Sequence, residues 1–211
     1  MIRKLIATTA AFLSAGLAVT GVSSADGNAR GRQLFALCAQ CHGSEAQGKQ
    51  DFLAPAIAGL DEWYVVSQVN VFKSGARGTH WEDVGGMRMH PMSRWLKTES
   101  DVQAVAGYVA SLPKEAPPTV VEGGSSIQGK VLYSTCSACH GQKGEGNKAM
   151  NSPPLSHMSD WYLVSTLEKF KAGIRGGNPA NTNAVLMRGM SNMLATDQAI
   201  KDVVAYISTL R

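Results

Sequence analysis

Four cysteines and two of the five histidines fall in two five-residue stretches, CAQCH (Cys38 to His42) and CSACH (Cys136 to His140). On a helix, two thiols three positions apart lie about one turn from each other, with the imidazole alongside. Such a set can serve as a redox dithiol, half of a zinc site, a structural disulfide, or the attachment site of a c-type haem. A second concentration of ligand chemistry is MRMHPM (87 to 92), three methionines and a histidine in six positions. Thioethers are soft ligands, so this stretch alone could hold Cu(I) or complete an iron site.

What positions these groups is a chain of 211 residues, 44% hydrophobic and 17% charged, enough for one ordinary domain or two small ones. The net charge of +4 is mild and scattered, which excludes a nucleic-acid surface. Arg3 and Lys4 followed by LIATTAAFLSAGLAV and the small residues of SSADG read as an export signal over 1–25, cleaved after Ala25. The apolar run is short of the roughly 20 residues that a membrane span requires. Loss of Arg3 and Lys4 lowers the formal charge from +4 to +2. The expected location is periplasmic, an oxidising compartment in which four cysteines would ordinarily pair as disulfides.

Their register argues otherwise. From Cys38 to Cys136 is 98 positions, and a shift of 98 aligns far more than the cysteines. DEWYVVSQVNVFKSGARG (61–78) falls on SDWYLVSTLEKFKAGIRG (159–176), VAGYVASL (105–112) on VVAYISTL (203–210), and Gly31 and Phe35 on Gly129 and Tyr133. This is a duplicated domain, with a first copy over 26–112, a Pro/Gly/Ser-rich linker over 113–126, and a second copy over 127–211. Each copy reads as all-α. GRQLFALC and GKVLYSTC carry helical spacing into the cysteine pairs, the WY segments stop at Gly75 and Gly173, and TESD (98–101) opens a final helix with a capping box. A core of three or four short helices in under 90 residues is thin, which suggests that a non-protein group fills its centre.

Two Cys-x-x-Cys-His motifs in register with a domain repeat, in an exported chain, favour covalent haem c over the dithiol, zinc and disulfide readings. Each histidine, His42 and His140, would ligate iron, which leaves a sixth position for a second ligand. In the 98-residue register Met89 falls on Met187 and Met92 on Met190, whereas Met87 falls on Val185 and His90 on Arg188. A ligand needed twice is therefore Met89 with Met187, or Met92 with Met190. A Cu(I) site would deprive the first haem of its matched ligand. Arg77 and Arg175 also repeat, beside glycines, and could pair with haem propionates or simply be solvated.

The chain resembles the dihaem cytochromes c of the cytochrome c4 family. The resemblance covers the two CxxCH motifs, the PAIAG (55–59) and PPL (153–155) loops, the WY…F-K-x-G helices and the Met-x-x-Met stretches. It implies two tandem class I cytochrome c-like domains, Met89 and Met187 as the axial methionines, and Pro55 and Pro153 as carbonyl partners of the ligating histidines. Cys38, Cys41, Cys136 and Cys139 would then carry two covalent haem c groups. It also implies an electron carrier rather than an enzyme, passing single electrons from a quinol-oxidising complex or dehydrogenase to a terminal oxidase, with at most peripheral contact with membrane complexes. The rival readings are the cytochrome subunit of a flavocytochrome-type dehydrogenase and a haem enzyme with an exchangeable sixth ligand.

Overall fold

The computed structural model describes residues 24–211; the expected export signal over 1–25 lies almost wholly outside them. The first copy comprises α1 (Ser24–His42), a 3-10 turn (Gln50–Phe52), α2 (Glu62–Lys73), α3 (Val84–Ser93) and α4 (Glu99–Ser111). The second comprises α5 (Ser126–His140), a 3-10 turn (Lys148–Met150), α6 (Asp160–Lys171), α7 (Thr182–Ser191) and α8 (Asp197–Ile207), closed by a 3-10 turn at Ser208–Leu210. Among the described residues there is no strand, only isolated bridges between Lys49 and Ala54 and between Asn147 and Ser152. The two central helices of each copy keep the 98-residue register at both ends: α2 with α6, and α3 with α7.

The dominant packing in each copy is the first helix against the last, α1 on α4 and α5 on α8. Glycine permits it. A Cβ at Gly31 would collide with the Ala104 carbonyl, and one at Gly129 with the Asp202 carbonyl. Around these crossings Phe35 meets Tyr108 and Tyr133 meets Tyr206, each pair with ring centroids 5.3 Å apart. Val102, Val105 and Val109 of α4, and Ile200, Val203 and Ile207 of α8, are buried beneath them, which is the apolar stripe expected from their spacing. The helix starts are chemically explicit. Thr98 and Asp101 form a full capping box on α4, and Thr196 accepts from Ala199 N on α8.

Two features differ from the sequence expectation. The methionine stretches, given no helix from the sequence, form the short helices α3 and α7, even with Pro91 inside α3. Pro91 carries no N–H, so α3 forgoes one i→i−4 hydrogen bond in its last turn. The segment over 113–126 is no slack tether either. Asp160 Oδ2 accepts the Val120 and Val121 amides at 2.8 and 2.9 Å, Asp202 Oδ1 accepts Ser125 N at 2.8 Å, and Arg211 donates to the Pro117 carbonyl. Its backbone donors are satisfied by carboxylates of the second copy rather than by a sheet or helix.

The two copies also meet directly. Ser159 Oγ accepts Ala56 N at 3.2 Å, Arg77 donates to the Tyr162 hydroxyl at 3.0 Å, and Lys169 Nζ contacts Asp83 Oδ1 at 2.8 Å.

Candidate haem sites

Helices α1 and α5 deliver the thiols and end on the histidines. Cys38, Cys41, Cys136 and Cys139 are free thiols and half-buried. Burial pushes the Cys38 thiol up to about 11 and raises Cys136 as well.

His42 and His140 are buried, each 6% exposed. His42 Nδ1 lies 2.9 Å from the Pro55 carbonyl oxygen and His140 Nδ1 lies 2.8 Å from that of Pro153. A carbonyl only accepts, so the proton is on Nδ1 and the Nε2 lone pair of each ring is left free. Burial lowers both pKa values below the usual histidine value, more than the carbonyl bonds raise them, so the rings are neutral. The backbone carbonyls are themselves fixed, because Lys49 and Ala54, and Asn147 and Ser152, exchange backbone hydrogen bonds just before the prolines.

The methionines sit on α3 and α7. Their N-caps are Asp83, accepting from Gly86 N, and Asn181, accepting from Ala184 N. Their far ends are held by a repeated lysine that the sequence reading passed over. Lys73 Nζ donates to the Leu96 carbonyl at 2.6 Å and Lys171 Nζ to the Leu194 carbonyl at 2.5 Å. The repeat of F-K-x-G was the signal that could have found it. Met89 and Met187 are half-buried, whereas Met92 is 37% and Met190 41% exposed. Met87 is 46% exposed, and His90 Nδ1 is bound to the Phe72 carbonyl at 2.5 Å. His90 therefore ties α3 to the end of α2.

Arg77 and Arg175 are not solvated. Arg77 is half-buried and Arg175 is 8% exposed. Each guanidinium stacks 4.4 Å from a phenylalanine ring, Phe72 or Phe170. Arg77 donates to Gln68 Oε1 at 2.8 Å and to Tyr162; Arg175 donates to Thr166 Oγ1 at 3.2 Å. In both, Nε is buried with no hydrogen-bond partner. A buried charged donor without a partner is costly, and a carboxylate brought by a ligand would satisfy it. Two paired thiols, an imidazole with a free Nε2, a methionine and an orphaned arginine donor, all present twice, fit two haem c groups with their propionates. Trp63, Trp161 and Tyr64 line the same helices as half-buried or core aromatics. Tyr162 does more, since it takes the Arg77 hydrogen bond between the copies.

Comparison with known proteins agrees with this reading of the site. A family model for cytochrome c matches residues 28–113 and again 126–211. Cytochrome c4 of Azotobacter vinelandii is 29% identical over 206 residues, covering 92% of this chain and 93% of that one. The thiosulfate dehydrogenase electron acceptor of Stutzerimonas stutzeri is 30% identical over 185 residues, covering 82% of this chain and 78% of that one. Among solved structures, reduced recombinant cytochrome c4 from Pseudomonas stutzeri superposes with a TM-score of 0.70 at 24% identity, over 87% of this chain and 98% of that one.

Proposed function

Because the chain belongs to the cytochrome c family and carries that fold twice, as cytochrome c4 does, we propose that it is an exported dihaem carrier of single electrons between redox proteins. Haem c, when attached, supplies a one-electron ferric–ferrous couple of raised potential under His/Met ligation. The chain's part is to hold the couple and shield it. Cys38 and Cys41, and Cys136 and Cys139, would hold the group through thioether bonds. His42 and His140, with Pro55 and Pro153 fixing the rings, and Met89 and Met187, from α3 and α7, would ligate the iron. Arg77 and Arg175, each with an unpartnered Nε, would meet the propionate carboxylates.

The observation that carries this reading is the duplicated ligand set: a neutral buried imidazole with a committed tautomer, and a half-buried methionine 47 positions on, in both copies. With a histidine and a methionine both held by the iron, no position would be left open for a substrate, which supports transfer over catalysis. The mature chain begins near residue 26 and acts in the periplasm. Among the described residues no helix is long and apolar enough to cross a membrane. Carbon monoxide binding to the reduced protein at neutral pH is the test. No binding is expected, and ready binding at either haem overturns the carrier assignment.

The relative named as an electron acceptor of thiosulfate dehydrogenase favours a second reading of the partner, a dehydrogenase donor rather than a quinol-oxidising complex. Reduction of the purified cytochrome by each class of donor separates the two. A stable flavoprotein complex would instead place the chain as a dehydrogenase subunit, and reduction of a terminal oxidase would complete the carrier route.

A further inference from the structure

The two copies are near-equivalent in register, but the ion pair between them has no mate. Asp83, the N-cap of α3, is 2% exposed, and its Oδ1 accepts both Gly86 N at 3.1 Å and Lys169 Nζ at 2.8 Å. Lys169 lies on α6, in the other copy. The residue matching Asp83 is Asn181, which caps α7 through Ala184 N with a neutral amide. The residue matching Lys169 is Val71, which has no charge to offer. Thus the helix bearing Met89 is tied to the opposite domain by a shielded ion pair, and the helix bearing Met187 is not.

The tie acts on the first turn of α3. A Cβ at Gly86 would strike the Asp83 carboxylate, and one at Gly78 would strike the Gly86 carbonyl. The start of α3 is therefore clasped between the Asp83 side chain and the loop backbone, one helical turn from Met89. The other charged groups facing Asp83 are Arg77 of its own copy and Arg175 of the other. Both have uses elsewhere, on Gln68 and Tyr162 and on Thr166. Lys169 is the one cation within ion-pair distance of this carboxylate among the described residues.

We propose that Lys169 of the second copy is a positioning residue for the axial methionine of the first haem, so that docking of the two domains and sulfur ligation at the first iron are linked. The linkage is reciprocal: whatever loosens the interface weakens Met89 at its iron, and whatever displaces Met89 weakens the interface. The second iron has no such dependence. This rests on the assignment of Met89 and Met187 as axial ligands.

The experiment uses the full ferric holoprotein and the far-red sulfur-to-iron charge-transfer band, with the two haems resolved by the shifted methyl signals of their ligating methionines. Met89→Ala and Met187→Ala are made first; each removes about half of the band if the ligand assignment holds, and a failure here overturns that assignment, not the linkage. Lys169→Met is then titrated with base. The expected result is that the first haem loses its methionine at lower pH than in the parent protein while the second keeps its parental value. Asp83→Asn, which gives the first copy the cap of the second, shifts the first haem the same way, and adding it to Lys169→Met produces no further shift. An unchanged first haem, an equal shift at both haems, or a shift confined to the second overturns the proposal. Lys169→Arg restores the parental value for the first haem; failure to restore it also overturns the proposal.

Discussion

His42 Nδ1 and the Pro55 carbonyl oxygen lie 2.9 Å apart, a hydrogen bond that spans thirteen residues of chain and commits the imidazole to a single tautomer. The same bond recurs between His140 and Pro153 at 2.8 Å. Each copy thus prepares its own ligand, and each can be perturbed separately. A hydrogen bond at Nδ1 makes Nε2 more basic and favours the ferric state. Pro55→Ala keeps the carbonyl but frees the backbone that aims it. The expected outcome is a rise in the first reduction potential with the second unmoved. A tenfold change in relative ferric affinity corresponds to about 59 mV for a one-electron couple. A redox titration that resolves the two steps checks it.

Met89→Ala and Met187→Ala should each remove the far-red band of one haem and lower that haem's potential, because methionine ligation raises it. Met92→Ala and Met190→Ala should leave both bands intact, since these side chains are 37% and 41% exposed and serve as packing.

Gly31→Ala and Gly129→Ala test the helix crossing. The new methyl meets a backbone carbonyl of α4 or α8, which cannot rotate away as a side chain could. Overpacking of this kind typically costs about 1–3 kcal/mol. Denaturant unfolding of the holoprotein should show the loss as a lower midpoint in each variant.

Tyr162→Phe removes the hydroxyl that accepts Arg77 Nη2 at 3.0 Å and leaves a buried charged donor short of a partner. The expected loss is about 1–3 kcal/mol. It should show as separation of one unfolding transition into two, because the contact joins the copies.

The Asp83–Lys169 pair gives stability an acid limit. Burial raises the Asp83 pKa, but the Lys169 hydrogen bond and the Arg77 and Lys169 charges together outweigh it, and the result is below the ordinary value of 3.8. A folded-state pKa below the unfolded one means that the contribution is fully present above pH 3.8 and is lost as pH falls through the lower, folded value. Acid titration of stability should therefore show a component below pH 3.8 that disappears in Asp83→Asn.

Much of this protein was legible one residue at a time. The spacing of Cys38, Cys41 and His42, repeated 98 positions later, named the cofactor, because covalent attachment and iron ligation are local on one helix end. The same register narrowed the methionines and marked Gly31 and Gly129, since a duplicated chain reports its own constraints. The fold class followed from helical apolar spacing and the absence of alternating runs. Contacts that break the repeat were not legible. Nothing in the sequence pairs Asp83 with Lys169, because their counterparts are Asn181 and Val71, and the two residues meet only when one domain docks on the other. Nor could composition show that Asp160 and Asp202 hold the 113–126 segment, or that MRMHPM winds into a helix around Pro91. The sequence by itself determined which cofactor each copy carries, since the CxxCH motif is set by short-range spacing. Tertiary structure decided how the copies hold each other, because a contact between non-equivalent residues far apart in the chain exists only once both surfaces have formed.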